Sequence, residues 1–365
     1  MLAVLESACA TTGIRHAPFE AVTVRSFTRD DVARWDEYVL RHEQGSLFHA
    51  AAWHHGVCSA FPHKPHYFLA ERGRRVVGVL PLFLVNSFLA GRMLVSVPYG
   101  VGGGILADDS VVAGELYRAA RELAKRRNCA TLELRQRGSE IADSTSSTPY
   151  AYFTRELPAR GVDVLSWLPR KARAATRQAR DRYELRIIHG DEHLATVWDL
   201  YSRNVRRLAS INYPRSFFRG LRDATPGKHW VSLVMQKDRP VAGAMTFLFK
   251  DRVMPYFFGA TGDARVCHAA NFLYWQLMER GASEGFRVFD FGRSRRDNVG
   301  SYDFKRFHGF EPKPLSYVVD VLNGGPPPDL SPGDRRFQWA RAIWPYLPLA
   351  LTRGLGGRLS RHLTG

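Results

Sequence analysis

The segment Phe289-Asp-Phe-Gly-Arg-Ser-Arg-Arg-Asp-Asn-Val-Gly-Ser-Tyr-Asp-Phe-Lys-Arg-Phe-His-Gly-Phe310 gathers carboxylate, guanidinium, hydroxyl and ammonium groups into one short stretch. Its apolar alternation predicts a strand rising into a loop with Gly292 and Gly300, then a short helix carrying Tyr302, Phe304 and Lys305. Loops at strand ends let polar groups converge on a ligand held by a rigid sheet. Arg293, Ser294 and Lys305 are the available donors there, Asp290 is a base or a structural acceptor, and Tyr302 and Phe304 would line the substrate. The opposing reading makes Tyr302, Phe304 and Phe307 core anchors with Lys305 solvated, and spacing alone does not separate the two.

A second candidate is residues 168–186, LPRKARAATRQARDRYELR, with seven basic residues against two acids. Pro169 suits a first helical turn and the alanines favour helix. Guanidinium forks bind phosphate oxygens bidentately, and a helix start adds unpaired N–H groups beside Arg170 and Lys171. The plain alternative is a solvated helical face. A third candidate is the loop Tyr99–Gly104, which holds Gly100, Gly102, Gly103 and Gly104 without GxGxxG spacing. It is expected either to let a substrate approach closely at Tyr99, Gly102 and Gly103 or to form a turn. His49, His54 and His55 have no carboxylate at metal-ligand spacing, so no metal site is expected. Walker A, HExxH and GxSxG motifs are missing, and the four cysteines form no CxxC pair.

The elements that must position these groups come in one order, twice. In the first half, a strand at Val22–Phe27 and a capping box at Thr28–Asp31 lead into a helix through Leu40, and a second helix covers Ala50–Phe61. Strands follow at His66–Glu71, Arg75–Val85 and Met93–Pro98. A helix over Val111–Arg127, the strand Thr131–Arg135 and a closing strand at Tyr150–Leu157 complete it. The second half has helix Leu168–Arg180, strand Glu184–His189 and helix Glu192–Leu208. Strands Trp230–Gln236, Val241–Phe249 and Val253–Ala260 precede helix Cys267–Gly281, strand Arg287–Gly292 and a last strand Leu315–Leu322. Leu132-Glu133-Leu134 aligns with Phe289-Asp290-Phe291, each after a helix rich in Ala, Leu and Arg. A repeated supersecondary order implies duplicated α/β (α+β) domains, each a mixed sheet flanked by helices.

The chain has 365 residues, an apolar fraction of 45% and a net charge of +17. Length and apolar content fit two globular domains, and no apolar run reaches the roughly 20 residues of a spanning helix. The charge is concentrated in the basic helix and in the tail after Asp334, which has six arginines and no acid. Aromatics beside those arginines suit an anionic membrane surface or a nucleic-acid backbone, although packing of the aromatics onto the core is the favoured expectation.

FDFGRS from Phe289 and YDFKRFHGFEPKPLSY from Tyr302 resemble the C-terminal signature of FemAB-type aminoacyltransferases, which have duplicated GNAT domains. LPRKARAATRQAR from Leu168, YSRNVRRL from Tyr201, NFLYWQLMERG from Asn271 and WPYLPLALTRGLG from Trp344 are similar to the FemAB-like proteins of exosortase/PEP-CTERM gene systems. The likeness runs from Phe48 to the end of the chain. It implies two tandem GNAT-like acyltransferase domains at residues 21–160 and 161–325, between a loose stretch 1–20 and a basic aromatic tail 326–365. It also implies acyl transfer to an amine, with Lys305 at the reaction centre. Amine attack on an ester builds charge on a carbonyl oxygen, and a placed ammonium stabilises that oxyanion. The acceptor or Asp290 would serve as base. Arg293, Arg170 and Lys171 would hold phosphates of a sugar nucleotide or lipid-linked sugar, and Asn204 would orient the substrate. No bound cofactor is implied, only an activated acyl donor, aminoacyl-tRNA or acyl-CoA, as co-substrate. The long paired helices with which Fem ligases engage tRNA are missing, which disfavours tRNA. The RxxGxG/A loop for acetyl-CoA is matched at neither Tyr99–Gly104 nor Gly259–Ala264.

The resulting expectation is a cytoplasmic N-acyl or aminoacyl transferase acting on an exopolysaccharide or envelope precursor, peripheral at the inner face of the membrane through its tail. Two readings compete with it: a non-catalytic module that binds anionic polysaccharide or membrane-linked intermediates, and an aminoacyl-tRNA-dependent peptidoglycan ligase.

Overall fold

The computed structural model describes residues 20–136, 145–324 and 338–365. The first half runs β1 (Val22–Ser26), α1 (Val32–Arg41), α2 (Ala51–Ala60), β2 (Lys64–Pro65), β3 (Phe68–Arg72), β4 (Arg75–Leu80), β5 (Phe83–Ser87), β6 (Gly91–Val95), β7 (Leu106–Ala107), α3 (Ser110–Arg126) and β8 (Thr131–Leu134). After β9 (Thr145–Glu156) and the single turn α4 (Val164–Trp167), the second half runs α5 (Arg170–Arg182), β10 (Leu185–His189), α6 (Leu194–Arg207), α7 (Arg215–Ala224), β11 (His229–Gln236), β12 (Arg239–Phe249), β13 (Arg252–Ala260), α8 (Ala269–Ser283), β14 (Val288–Arg295), α9 (Val299–Phe307) and β15 (Pro312–Val321). The tail holds α10 (Gln338–Ile343), a 3-10 turn at Trp344–Tyr346 and α11 (Leu349–Leu359). Residues 1–19 of the expected loose start and 326–337 of the expected tail, with Arg335 and Arg336, lie outside the described residues.

Local chemistry accounts for most boundaries. The capping box at Thr28–Asp31 is present, and Arg25 fixes its acid through bonds of 2.7 and 2.6 Å to Asp31. Asp109 caps α3 by accepting from Val112 N–H. The single strand expected over Arg75–Val85 is instead two, β4 and β5, which lie in different sheets. Pro81, between them, has no N–H to continue a ladder. Helix α7 was not anticipated, although Phe217, Phe218 and Leu221 on its buried face follow Pro214 at helical spacing.

Among the described residues the strands form a four-stranded sheet, β1-β3-β4-β7, and an eleven-stranded sheet, β10-β11-β12-β13-β14-β9-β15-β8-β6-β5-β2. Helix α3 carries the chain from β6 to its parallel neighbour β8, and α8 does the same from β13 to β14. The closing strands are exchanged. The strand expected to close the first half, β9, pairs with β14 of the second, while β15 pairs with β8 of the first. β9 and β15 also pair with each other, so the halves share one continuous sheet.

The core is continuous as well. Trp35, Trp53 and Tyr99 of the first half join Phe217, Phe218 and Phe257 of the second in one buried cluster. Helices α2 and α7 meet closely at Gly56, where an added Cβ would lie 2.4 Å from the Leu221 side chain.

Candidate active site

The second half departs from its repeat at β14. Strand β14 stays with its parallel partner β13 only at Arg252↔Val288 and Val253↔Phe289, and a bulge interrupts its pairing with β9 between Asp290 and Gly292. Gly292 sits at φ +64, a conformation that favours glycine. Asp290 Oδ1 accepts the Gly292 N–H at 2.8 Å, and its other oxygen accepts the Tyr152 hydroxyl. Asp290 is therefore a buried structural acceptor that fixes the bulge, and both carboxylate oxygens are engaged.

The bulge shapes the surroundings of Lys305. Its ammonium donates to the carbonyls of Phe291 at 2.7 Å and Arg293 at 3.0 Å. Carbonyls two residues apart in a regular strand lie about 6.6 Å from one another, beyond the reach of a single nitrogen at those distances. With β13 gone as partner, Lys305 satisfies backbone acceptors that would otherwise be buried without a donor. An ammonium has three donors, so one remains after these bonds. The rings of Phe153 and Phe291 lie 5.1 and 5.8 Å from the nitrogen. Burial, partly offset by the Asp290 charge and helped by that of Arg293, lowers the Lys305 pKa to about 7. The reading of Lys305 as simply solvated is thus excluded, since the residue is 8% exposed.

Arg293 donates to the Tyr317 hydroxyl at 2.9 Å and stacks 4.2 Å from the Tyr150 ring centre. The Tyr317 hydroxyl donates in turn to Val101 O at 2.9 Å, which ties β14 to the loop Tyr99–Gly104. That loop is fixed mainly by packing. Gly103 and Gly104 donate to Arg135 O, and a Cβ on Gly103 would meet Val97 at 2.6 Å. Gly102 gives its carbonyl to Ser46. Its strain sits at Val97 (φ 41) and Tyr99 (φ 65). Tyr99 is buried; its hydroxyl meets His63 Nε2 at 2.8 Å and Ser360 O at 3.0 Å, and its N–H donates to Thr364 O at 2.7 Å.

Lys305, Asp290, Arg293 and the Tyr99–Gly103 loop are therefore brought together. Ser294 joins through its hydroxyl contact of 2.9 Å with Ser301 at the start of α9. Tyr302 and Phe304 are half-buried and pack against Phe153 and against Tyr274 and His308 respectively. Arg170 and Lys171 begin α5 near the far end of α9, with the Lys171 nitrogen 5.1 Å from the Phe307 ring centre, and neither bonds to Arg293 or Lys305. Asn204 is buried on α6 with its side-chain oxygen held by Arg207.

Sequence reasoning missed Arg135. It is 1% exposed, donates to Glu133 at 2.8 Å and to the carbonyls of Gly100 and Gly365, and lies 5.7 Å from the Tyr317 ring centre. The aligned Leu132–Leu134 and Phe289–Phe291 segments, with an arginine one residue after the first and two residues after the second, are the signal that could have found it. A separate hollow of about 470 Å³, lined by residues including Phe27, His66, Tyr67 and Arg127, contains none of these groups. Among the described residues, no group of three or more His, Cys, Asp or Glu side chains could hold a metal ion, and no helix is long and apolar enough to cross a membrane.

Comparison with known families covers the same elements. Residues 167–306 match the acetyltransferase (GNAT) domain. Over these residues the chain is similar to GNAT-type acyltransferases. The matched stretch begins just before α5 and ends just after Lys305. No curated protein matches the sequence. The crystal structure of FemX is similar in fold at TM-score 0.62 and 14% identity, over 82% of this chain and 98% of that one. A tandem GNAT protein from the clavulanic acid biosynthesis pathway has TM-score 0.53 and 13% identity, over 84% and 100% of the two chains. The C-terminal domain of a putative lysylphosphatidylglycerol synthetase from Agrobacterium fabrum has TM-score 0.54 and 14% identity, over 80% and 91%. These likenesses establish a fold shared with tandem GNAT-like proteins.

Proposed function

We propose that the chain transfers an acyl or aminoacyl group to an amine of an exopolysaccharide or other cell-envelope precursor, carried as a sugar nucleotide or lipid-linked sugar, with the β14 cluster as its centre. The observation that carries this reading is the pairing of a buried Lys305 with Arg293 where β14 leaves β13. The remaining donor of Lys305 stabilises the oxyanion formed when the amine attacks the acyl carbonyl, and Arg293 holds an anionic part of the substrate. With both Asp290 oxygens engaged, the acceptor amine enters neutral; collapse of the tetrahedral intermediate breaks the acyl–sulfur or acyl–oxygen bond, and the proton lost by the amine goes to the leaving CoA thiol or tRNA hydroxyl. The activated donor is an acyl-CoA or an aminoacyl-tRNA. The likeness to a protein named for lysylphosphatidylglycerol supports an acceptor at the membrane, and the reading includes a peripheral position at its inner face. The exosortase/PEP-CTERM association stands on the sequence resemblance alone.

Comparison of sugar nucleotides and lipid-linked sugars by untargeted mass spectrometry, in cells with and without the intact protein, tests this. The expected result is an acylated precursor that vanishes with the protein and with Lys305→Ala. Identical precursor profiles in all three strains would sink the reading.

A further inference from the structure

The tail divides into two faces. On α11 the buried positions Thr352 and Gly356, continued by Ser360, form the inner stripe, and a Cβ on Gly356 would lie 2.5 Å from the Asn212 side chain. Arg353 pairs with Asp199, Arg206 donates to Leu347 O at 2.9 Å, and Ser87 donates to His362 O at 2.8 Å. The tail is therefore fastened to both halves. Its outer stripe, Leu351, Gly354 and Arg358 at helical spacing and then Arg361, is exposed. Upstream, Trp339 is 70% and Ile343 50% exposed, one helical turn apart on α10, and Tyr346 is 87% exposed. The expectation that the tail aromatics pack on the core holds for Trp344 alone among Trp339, Trp344 and Tyr346.

We propose that this outer face, Trp339, Ile343, Tyr346 and Leu351 with Arg358 and Arg361, docks on an anionic lipid bilayer. Exposed Trp and Tyr on a rigid segment suit the interfacial zone, where the ring is in the headgroup layer and the polar atom stays wet. Phe88, 66% exposed and edge-to-face with His362 at 4.5 Å, extends the apolar surface at the far end of the tail. Charge selects the occupant. After Asp334 the chain has arginines and no acid. A twofold contact between copies would set the outward Arg358 and Arg361 against their own equivalents with nothing on the segment to neutralise them, whereas an anionic surface neutralises both. The Asp297 carboxyl, just after β14, is held low chiefly by its hydrogen bonds from Arg295, and Arg341 of α10 adds a smaller charge effect from its side. Docking would hold the β14 cluster close to the bilayer, a consequence that rests on the proposed membrane-linked acceptor; the docking itself does not.

Co-sedimentation of the full chain with vesicles tests this without turnover. Vesicles of phosphatidylcholine with about a third phosphatidylglycerol should bind at least about tenfold more tightly than phosphatidylcholine alone, since each arginine near an anionic surface is worth about fivefold. Binding should weaken as salt rises. Trp339→Ser combined with Tyr346→Ser, and separately Arg358→Glu combined with Arg361→Glu, should each lower binding about tenfold or more. Unchanged thermal unfolding of both variants keeps the comparison valid. Equal binding to the two vesicle types, parent-like binding by both variants, or a lipid-free dimer that the variants abolish would overturn the proposal. Anionic-vesicle binding without transfer to any lipid-linked acceptor would sink the acceptor reading and leave the docking intact.

Discussion

The two helix crossings use one plan and end differently. In the first half, β6 and β8 stay paired through Met93↔Thr131, Leu94↔Leu132 and Val95↔Glu133, and Arg135 is neutralised by Glu133 from its own strand. In the second half the pairing of β13 with β14 stops at Phe289, a glycine bulge follows, and Arg293 bonds to a tyrosine hydroxyl instead of a carboxylate. Both arginines reach the ring of Tyr317, at 5.7 and 5.9 Å. The closed, internally neutralised crossing fits a structural joint. The parted one, with a buried lysine and an arginine that has no carboxylate partner among the described residues, fits the proposed role of meeting an anionic substrate. The comparison teaches that duplication supplied the scaffold and that one inserted bulge, fixed by Asp290, Gly292 and Lys305, separates the copies.

The largest expected effect follows from Lys305. Lys305→Ala should lower transfer about 10²–10³-fold, the typical loss of one oxyanion donor. Lys305→Met, which keeps the bulk while abandoning the two carbonyls, should lower it comparably. Turnover within threefold of the parent in both variants, measured on the identified acceptor, would reduce Lys305 to a strand clip like Arg135.

Titration sharpens the same contrast. The folded pKa of Lys305 is about 7, against about 10.4 for an unfolded lysine. Between these values the unfolded chain binds the extra proton, so this site makes stability rise with pH across that window, by up to a few kcal/mol. Below about 7 the lysine is charged in both states and its burial cost is fully present. If the ammonium is the working form, turnover falls as pH rises through the interval in which stability increases. Urea unfolding at pH 7 and pH 9, compared with Lys305→Met, should lose this slope in the variant, and turnover of the parent over the same range should run the opposite way. Parallel slopes would mean that the neutral amine is the active form.

The bulge itself supplies a smaller effect. Gly292→Ala places a side chain at φ +64, where the nearest atom, of Val101, is 3.9 Å away. Space is available, so the cost is backbone strain of about 1–2 kcal/mol. Unfolding measurements should show it, with transfer reduced because both Lys305 acceptors shift. A control at Gly91 of the first half, also at positive φ (+73) with its nearest atom 3.9 Å away, should lose similar stability and no transfer.

Much of this was legible in the sequence. Period-two and helical patterns located nearly every long element, and the spacing from Phe289 to Phe310 led to Lys305, Arg293 and Asp290. The strand exchange was not legible, because β9 and β15 present the same alternation whichever neighbour they pair with. Nor was the state of Asp290: the sequence leaves it a base or a structural acceptor, and only the fold shows Tyr152 and the Gly292 N–H engaging its two oxygens. Arg170 and Lys171 stand out by type and charge and Asn204 only by the resemblance, and only the tertiary fold shows a helix end turned to Phe307 and an amide held by Arg207.

The smallest expected effect, at Arg135, decides whether the first crossing takes any part in the chemistry. Arg135→Lys keeps the charge while losing the planar fork that reaches Glu133, Gly100 and Gly365 together. If the first copy is a joint, the variant should lose about 1–2 kcal/mol of stability from its missing hydrogen bonds and retain the parent KM. Arg293→Lys, which keeps the same charge at the parted crossing, should instead raise KM several-fold with a smaller change in unfolding. Steady-state kinetics beside urea unfolding on the two variants separates these outcomes. A matching rise in KM at Arg135 would show that both copies grip the substrate across Tyr317, and would replace the division into joint and active centre with a shared site.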